Sequence, residues 1–362
     1  MNRRSALTLM ATLAATKTRS TPPDRMQAAA QIIQKQIDAG MLESAVLHVR
    51  RGQDTFQQAF GKAANADAIF LLASITKTMT AAGVMVLADR GELRITDPVM
   101  KFIPEFHEGD RKRVTIEHLL AHTSGLPDQL ENNTELRARH APLAEFVQGA
   151  IRTPLLFAPG TKYHYQSMGI LLAAEIVERI TKTSLPDFLA GEVFAPWHMS
   201  RSALGLGKFK LTDTVRCQSE HAAPESGAGD PKAASWDWNS PYWRNLAAPW
   251  GGAHGSAADV ARFLDSFLHP TGTVLRAETV RLMLSSHTQG LEARRGLGFA
   301  LGPNGFGKGC SEQSFGHSGS TGTLAWADPA TDTTCVILTS LPSRISGNTI
   351  LHPVSDVVST IR

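Results

Sequence analysis

The 362-residue chain has only three cysteines, Cys217, Cys310 and Cys335, and they lie far apart. That spacing supports neither a disulfide framework nor a zinc site. Neither sign of charge dominates, with 36 Lys plus Arg against 33 Asp plus Glu. A net charge of +3, scattered along the chain, makes no basic stripe for nucleic acid. No apolar run reaches the roughly 20 residues that a membrane span requires. Internal repeats and low-complexity segments are also missing. With 42% hydrophobic and 19% charged residues the composition is globular, which excludes collagen-like, coiled-coil and disordered chains. The motifs G-x-S-x-G, H-E-x-x-H and the phosphate-binding P-loop are absent too.

The N-terminus carries Arg3-Arg4 and then the mildly apolar run Ala6 to Ala15. It reads either as a twin-arginine-type secretory signal, implying export to a periplasm, or as an ordinary terminus of a cytoplasmic protein. Residues 16–23 read as a linker, so that 1–23 precede a single domain over 24–362. Asp24 is placed as the N-cap of a helix with Ile33 and Ile37 on its apolar stripe. Ala45 to Phe60 reads as strand, turn and strand, and Ala68 to Arg90 as a helix apolar on most faces, hence buried. Helical pieces follow at Ile116–Ala121, Ile170–Ile180 and Asp259–Leu264. Strand patterns return at Gly298–Leu301, Thr323–Asp328 and Thr333–Leu341, and a helix closes the chain at His352–Ile361. Strands at both ends and helices between them predict an α/β (α+β) fold. One antiparallel sheet would form from about 24–70 and 250–362, with a mostly helical part over about 71–249. Residues 219–245, rich in Gly, Pro, Ser and Trp, form a long irregular segment.

His118 and His122 have the i, i+4 spacing of metal ligands, but no third ligand can be named, and packing or capping explains them. A more informative feature is Ser74-Ile75-Thr76-Lys77, the one S-x-x-K of the chain. Ser74 stands where a loop meets the buried helix, near its positive end, and Lys77 lies one turn on along the same face. A lysine aimed into apolar surroundings calls for a chemical role. Burial favours the neutral amine, which can take a proton from a serine hydroxyl. The plainer reading is a Ser cap with an exposed Lys. Tyr165, in Lys162-Tyr163-His164-Tyr165-Gln166-Ser167, follows a turn and precedes an apolar helix beginning near Met168. A tyrosine beside an ammonium can serve as base or proton shuttle, or it can be a core tyrosine. Gly316-His317-Ser318-Gly319-Ser320-Thr321-Gly322 leads into a strand, and its glycines allow close approach of a substrate to backbone N–H groups. Taken alone it could equally be a glycine-rich turn.

The three segments in this order resemble the serine β-lactamase and penicillin-binding-protein superfamily, and most of all its class C branch. Leu87 to Leu93, Asp97-Pro98-Val99, Leu119 to Pro127 and Gly251-Gly252 before Asp259 share the likeness, which covers about residues 30–342. The resemblance implies a β-lactamase/transpeptidase-like fold and an acyl-enzyme mechanism without a cofactor or metal. Ser74 would be the nucleophile, Lys77 and Tyr165 the acid/base pair, and the N–H groups of Ser74 and Ser320 the oxyanion donors. Ser167, His317, Ser318 and Gly319 would contact substrate.

Two departures bear on the substrate. Ser167 stands where class C enzymes carry the Asn of Y-x-N, and His317-Ser318-Gly319 replaces K-T-G. The missing Lys removes a fixed charge suited to a carboxylate, a loss of about 1.5–3 kcal/mol for one charge-assisted hydrogen bond. A small ester or amide is therefore the expected substrate. The alternatives are weak β-lactamase or D-aminoacyl/D,D-peptidase activity and, from another class, a catalytically silent ligand-binding module. The tryptophans between Trp236 and Trp250 either wall the pocket or pack in the helical part. The oligomeric state is not legible.

Overall fold

The computed structural model describes residues 22–360. The secretory-type segment proposed for the N-terminus lies outside them. Among the described residues no helix is long and apolar enough to cross a membrane.

The central sheet is antiparallel throughout and draws on both ends of the chain. Its strands are β1 (Ser44–Arg51), β2 (Asp54–Gly61), β6 (Ala300–Leu301), β7 (Phe315–Gly319), β8 (Thr323–Asp328) and β9 (Thr333–Thr339), in the order β2-β1-β9-β8-β7-β6. A second, three-stranded sheet joins β3 (Phe70–Leu71), β5 (Ala253–Gly255) and β4 (Ser202–Leu204) in the order β3-β5-β4. The register pairs Val46 with Leu338 and Val49 with Cys335, so the strands at the two chain ends meet in the middle of the sheet.

Period-2 alternation decides which face each side chain covers. Leu47, Val49, Trp326 and Ile337 point to one side, where they pack with Met26, Ala30 and Ile33 of the helix Pro22–Asp38 and with Val354 of His352–Ser359. The Trp326 indole donates to Ser355 Oγ at 2.6 Å, satisfying its one polar atom in this core. Val46, Ala325, Val336 and Leu338 face the larger core, shared with the helices Thr76–Asp89, Met168–Thr181 and Ala257–Leu268. Thr76–Asp89 is buried from Thr76 to Leu87, as a helix without a polar face must be. At Gly83 a Cβ would lie 2.7 Å from Leu189 Cδ2, so the helices cross closely there.

Several boundaries differ from the sequence reading. The first helix begins at Pro22, which places Asp24 inside it rather than at its cap. The helix expected from Ala68 starts only at Thr76, because Phe70–Leu71 pair with His254 and Gly255 instead. A hydrophobic run alone cannot signal a strand whose partner lies some 180 residues away. The segment 219–245 consists of short 3-10 turns and a helix over Pro241–Asn245. Its anchor is Arg244, only 1% exposed, which donates to the carbonyls of Trp238 and Val215 and to Thr214 Oγ1 and Asn239 Oδ1.

Candidate active site

Ser74 lies in a 3-10 turn, Ala73–Ile75, directly before the buried helix, and its side chain does not cap that helix. Ala73 has φ +48°, a conformation that costs a residue with a Cβ about 1–3 kcal/mol and persists only where surroundings impose it. The surroundings are visible. Leu72 N donates to Ala253 O at 2.8 Å, Thr321 Oγ1 to Leu71 O at 2.7 Å and Thr323 Oγ1 to Leu72 O at 2.9 Å. Thr76 Oγ1 bridges Ala73 O and Ala253 N. The β7–β8 hairpin thus clamps the turn that carries Ser74. The approach is close enough that a Cβ on Gly319 would sit 2.5 Å from Leu72 O.

Lys77 is 1% exposed, which rules out the cap-and-exposed-lysine alternative. Its Nζ donates to Ser74 Oγ at 3.1 Å and to Trp250 O at 2.9 Å, and it lies 4.8 Å from the centre of the Tyr165 ring. Among the described residues no carboxylate pairs with it. Tyr165 and Ser167 flank Gln166, which is fully buried. Gln166 Oε1 accepts from Ser124 Oγ at 2.6 Å, and its Nε2 donates to His118 O at 3.3 Å. Anchoring the middle residue inward turns both neighbours toward the cavity. Ser167 Oγ donates to Asp128 Oδ1 at 2.6 Å.

The pleat of β7 gives its residues different tasks. His317 and Gly319 are buried while Ser318 and Ser320 are exposed. His317 Nδ1 is 2.7 Å from Ser318 O. A carbonyl can only accept, so this nitrogen carries the proton and Nε2 is left buried without a partner. Burial, reinforced by the charges of Arg295 and Lys77, lowers the His317 pKa to about 3. His317 is therefore neutral at pH 7 and supplies no cation. His122, expected only as a packing or capping residue, is buried, and its ring centre lies 4.8 Å from that of Tyr165. Burial holds its pKa well below the usual range. His118 does cap, exchanging hydrogen bonds with Thr115 at the start of the helix Ile116–Leu120.

Two cavities meet at Ser74. The first, about 180 Å³, is lined by Ser74, Lys77, Tyr165, Ser167 and Ser320 together with Trp238, Trp243 and Trp250. The second, about 430 Å³, is lined by Ser74, Tyr165, His317, Ser318, Gly319 and Ser320 together with Tyr163 and Arg295. The structure thus brings together all eight residues singled out in the sequence. Three of the tryptophans wall the first cavity, and Trp236 stays out of it. Sequence reasoning missed Asp128 and Arg137 in the first cavity and Tyr163 and Arg295 in the second. Asp128 directly follows Gly125-Leu126-Pro127 and was within reach of the resemblance, whereas nothing local marks Arg137 or Arg295.

This chain belongs to the beta-lactamase family, whose model matches residues 29–353. Protein flp of Staphylococcus aureus (strain COL) is 26% identical over 231 residues, 60% of this chain and 46% of that protein. The match therefore spans about half the length of that curated relative. Among solved structures, EstCE1, a hydrolase with promiscuous acyltransferase activity, has a TM-score of 0.74 at 19% identity, covering 93% of this chain and 98% of that one. The D-amino acid amidase from Ochrobactrum anthropi SV3 has a TM-score of 0.73 at 22% identity, covering 93% and 97%. At these identities the structural likeness establishes the fold: a mixed α/β molecule of the β-lactamase/transpeptidase type.

Proposed function

We propose that this protein is a serine hydrolase acting through an acyl-enzyme on Ser74, with a small ester or amide as substrate. The observation that carries the reading is the buried Lys77 Nζ, 3.1 Å from Ser74 Oγ and free of any carboxylate partner among the described residues. Ser74 Oγ attacks the carbonyl carbon as the Lys77–Tyr165 pair takes the hydroxyl proton. The carbonyl electrons move onto oxygen, where the N–H groups of Ser74 and Ser320 stabilise the charge. Collapse breaks the bond to the leaving group, which receives the proton through the same pair. Water then attacks the acyl-serine by the same route in reverse, releasing the acid and restoring Ser74.

Ser167 directs the acyl group into the tryptophan-lined cavity, and β7, through His317, Ser318 and Gly319, receives the leaving group. The fold shared with a hydrolase that has promiscuous acyltransferase activity and with a D-amino acid amidase supports this substrate range. Export from the cytoplasm, suggested by Arg3-Arg4 and the apolar run after it, belongs to the same reading and is tested by fractionating cells that express the full chain.

The enzymatic test is a panel of aryl acetates, D-aminoacyl amides and a chromogenic cephalosporin given to wild type and to Ser74→Ala. Expected is Ser74-dependent turnover of esters or amides that exceeds turnover of the β-lactam. A folded wild-type protein inert toward all three classes would favour the silent binding module.

A further inference from the structure

His122 lies against Tyr165 yet takes no step in the acyl-enzyme route, and the fold holds it in an unfavourable state. Its backbone has φ +61°, a left-handed conformation that strains a residue with a Cβ. Its ring is buried, and Nε2 has no hydrogen-bond partner among the described residues. A strained backbone and an unpaired buried nitrogen both work against stability, so such features call for an explanation in the site they adjoin.

The explanation lies in what His122 binds. Its carbonyl accepts from His164 N at 3.0 Å, and its Nδ1 accepts from Gln166 N at 3.3 Å. The peptide N–H groups of both residues that flank Tyr165 are thus held by one residue, through its backbone on one side and its side chain on the other. The His122 ring itself lies 4.8 Å from the Tyr165 ring, centre to centre, tilted by 41°. The grip continues along the chain. Ser124 Oγ donates to Gln166 Oε1 at 2.6 Å, and Thr123 O accepts from Gly160 N at 2.8 Å. A ring nitrogen that accepts carries no proton, so the neutral imidazole is protonated on Nε2, the tautomer opposite to that of His317. Burial, reinforced by the charges of Arg295 and Lys77, holds its pKa well below the usual range and leaves Nδ1 an acceptor at neutral pH.

We infer that His122 is a positioning residue for the proton shuttle: it fixes the backbone on both sides of Tyr165 and so holds the phenol beside Ser74 and Lys77. This rests on the acyl-enzyme reading for its effect on rate, while the cradle itself stands on the two hydrogen bonds.

Two substitutions divide what the side chain supplies. Asn places an acceptor oxygen where Nδ1 stands and tolerates a left-handed φ, whereas Phe keeps a ring and has no acceptor. His122→Phe should lower kcat about tenfold to 10²-fold on esters and amides alike with KM little changed, as a misplaced proton shuttle would. His122→Asn should recover most of that loss. Added to Tyr165→Phe, His122→Phe should cost nothing further, because its effect passes through a hydroxyl already removed. A residue that merely supports the fold would lower activity by the same factor in both backgrounds. Equal factors would therefore overturn the proposal. So would a His122→Phe enzyme with wild-type kcat, or a His122→Asn enzyme no better than His122→Phe.

Two further measurements need no turnover and separate this proposal from the catalytic one. Nitrogen-15 shifts of the wild-type His122 ring should report the Nε2–H tautomer, with His122→Asn identifying the resonance. Exchange of the Gln166 amide should be slow in wild type and in His122→Asn and faster in His122→Phe. An Nδ1–H tautomer, or a Gln166 amide equally protected in wild type and His122→Phe, would sink the cradle whatever the activity. Turnover retained by Ser74→Ala, with the tautomer and the exchange pattern as expected, would sink the nucleophile assignment alone.

Discussion

The cavities on either side of Ser74 share Ser74, Tyr165 and Ser320 and little else. On one side the wall is aromatic and acidic as well as basic: Trp238, Trp243 and Trp250 stand with Asp128, Glu225 and Arg137. Arg137 is buried against Trp243, its guanidinium carbon 3.8 Å from the ring centre, and its side chain donates a hydrogen bond to Glu225 O. Burial lowers its pKa to about 10, so it keeps its charge at pH 7. On the other side the wall is hydroxyl-rich and carries the Arg295 guanidinium, with no Asp or Glu lining it among the described residues. On the proposed reading one reacting centre serves two ends of a substrate that differ in shape and charge. In the proposed mechanism Ser74, Tyr165 and Ser320 belong to both cavities and Lys77 to the first, while selectivity would sit on the remaining walls.

That division can be broken from the centre outward. Ser74→Ala should lower turnover at either cavity's preferred substrates by at least about 10³-fold, as expected when a nucleophile is removed. The check is steady-state hydrolysis by protein whose Tm is unchanged. Tyr165→Phe should cost about 10²–10⁴-fold in kcat, the usual weight of general acid–base catalysis. An equal loss on all esters would place Tyr165 at the shared centre, and a loss confined to one substrate class would make it a wall residue. Trp238→Ala should act on one side only, raising kcat/KM for esters with bulky acyl groups about tenfold relative to acetates. Acetates of different phenols should keep their order. A parallel change across both series would mean that the cavities are one.

The smallest effect concerns pH. His122, His254 and His317 are buried and neutral, with pKa lowered by burial, to about 3 for His254 and His317. Folded-state values below the unfolded 6.5 mean that the unfolded chain binds more protons as pH falls. The stability these histidines contribute is complete above pH 6.5 and is lost progressively as pH drops toward 3. Tm should decline by several degrees between pH 6.5 and about 4.5, and His317→Asn should flatten the decline. A Tm constant over that range would contradict the neutral, buried assignment.

How much of this was legible before folding depends on where each signal lay. Residues that act through their neighbours in sequence were readable: Ser74 and Lys77 one helical turn apart, Tyr165 ahead of an apolar helix, and the glycine-bearing segment around His317 to Ser320 leading into a strand. The antiparallel sheet from both chain ends was readable for the same reason, since β1 and β2 read as strand, turn and strand and β8 and β9 as short strand patterns near the other end. What escaped depends on approach from afar. The strand β3 exists because β5 pairs with it, and the nucleophile turn is held by Thr321 and Thr323, about 250 residues beyond the backbone they bind. Arg295 and Arg137 are ordinary arginines in sequence. Only the fold brings them to the walls of the cavities at Ser74.

The central claim is that Ser74 is an activated nucleophile, and intact-mass analysis after exposure to a serine-reactive fluorophosphonate tests it most directly. Wild type should gain the mass of one phosphonyl group, and Ser74→Ala should gain none. Folded wild-type protein that gains no mass, or an adduct that persists in Ser74→Ala, would contradict it.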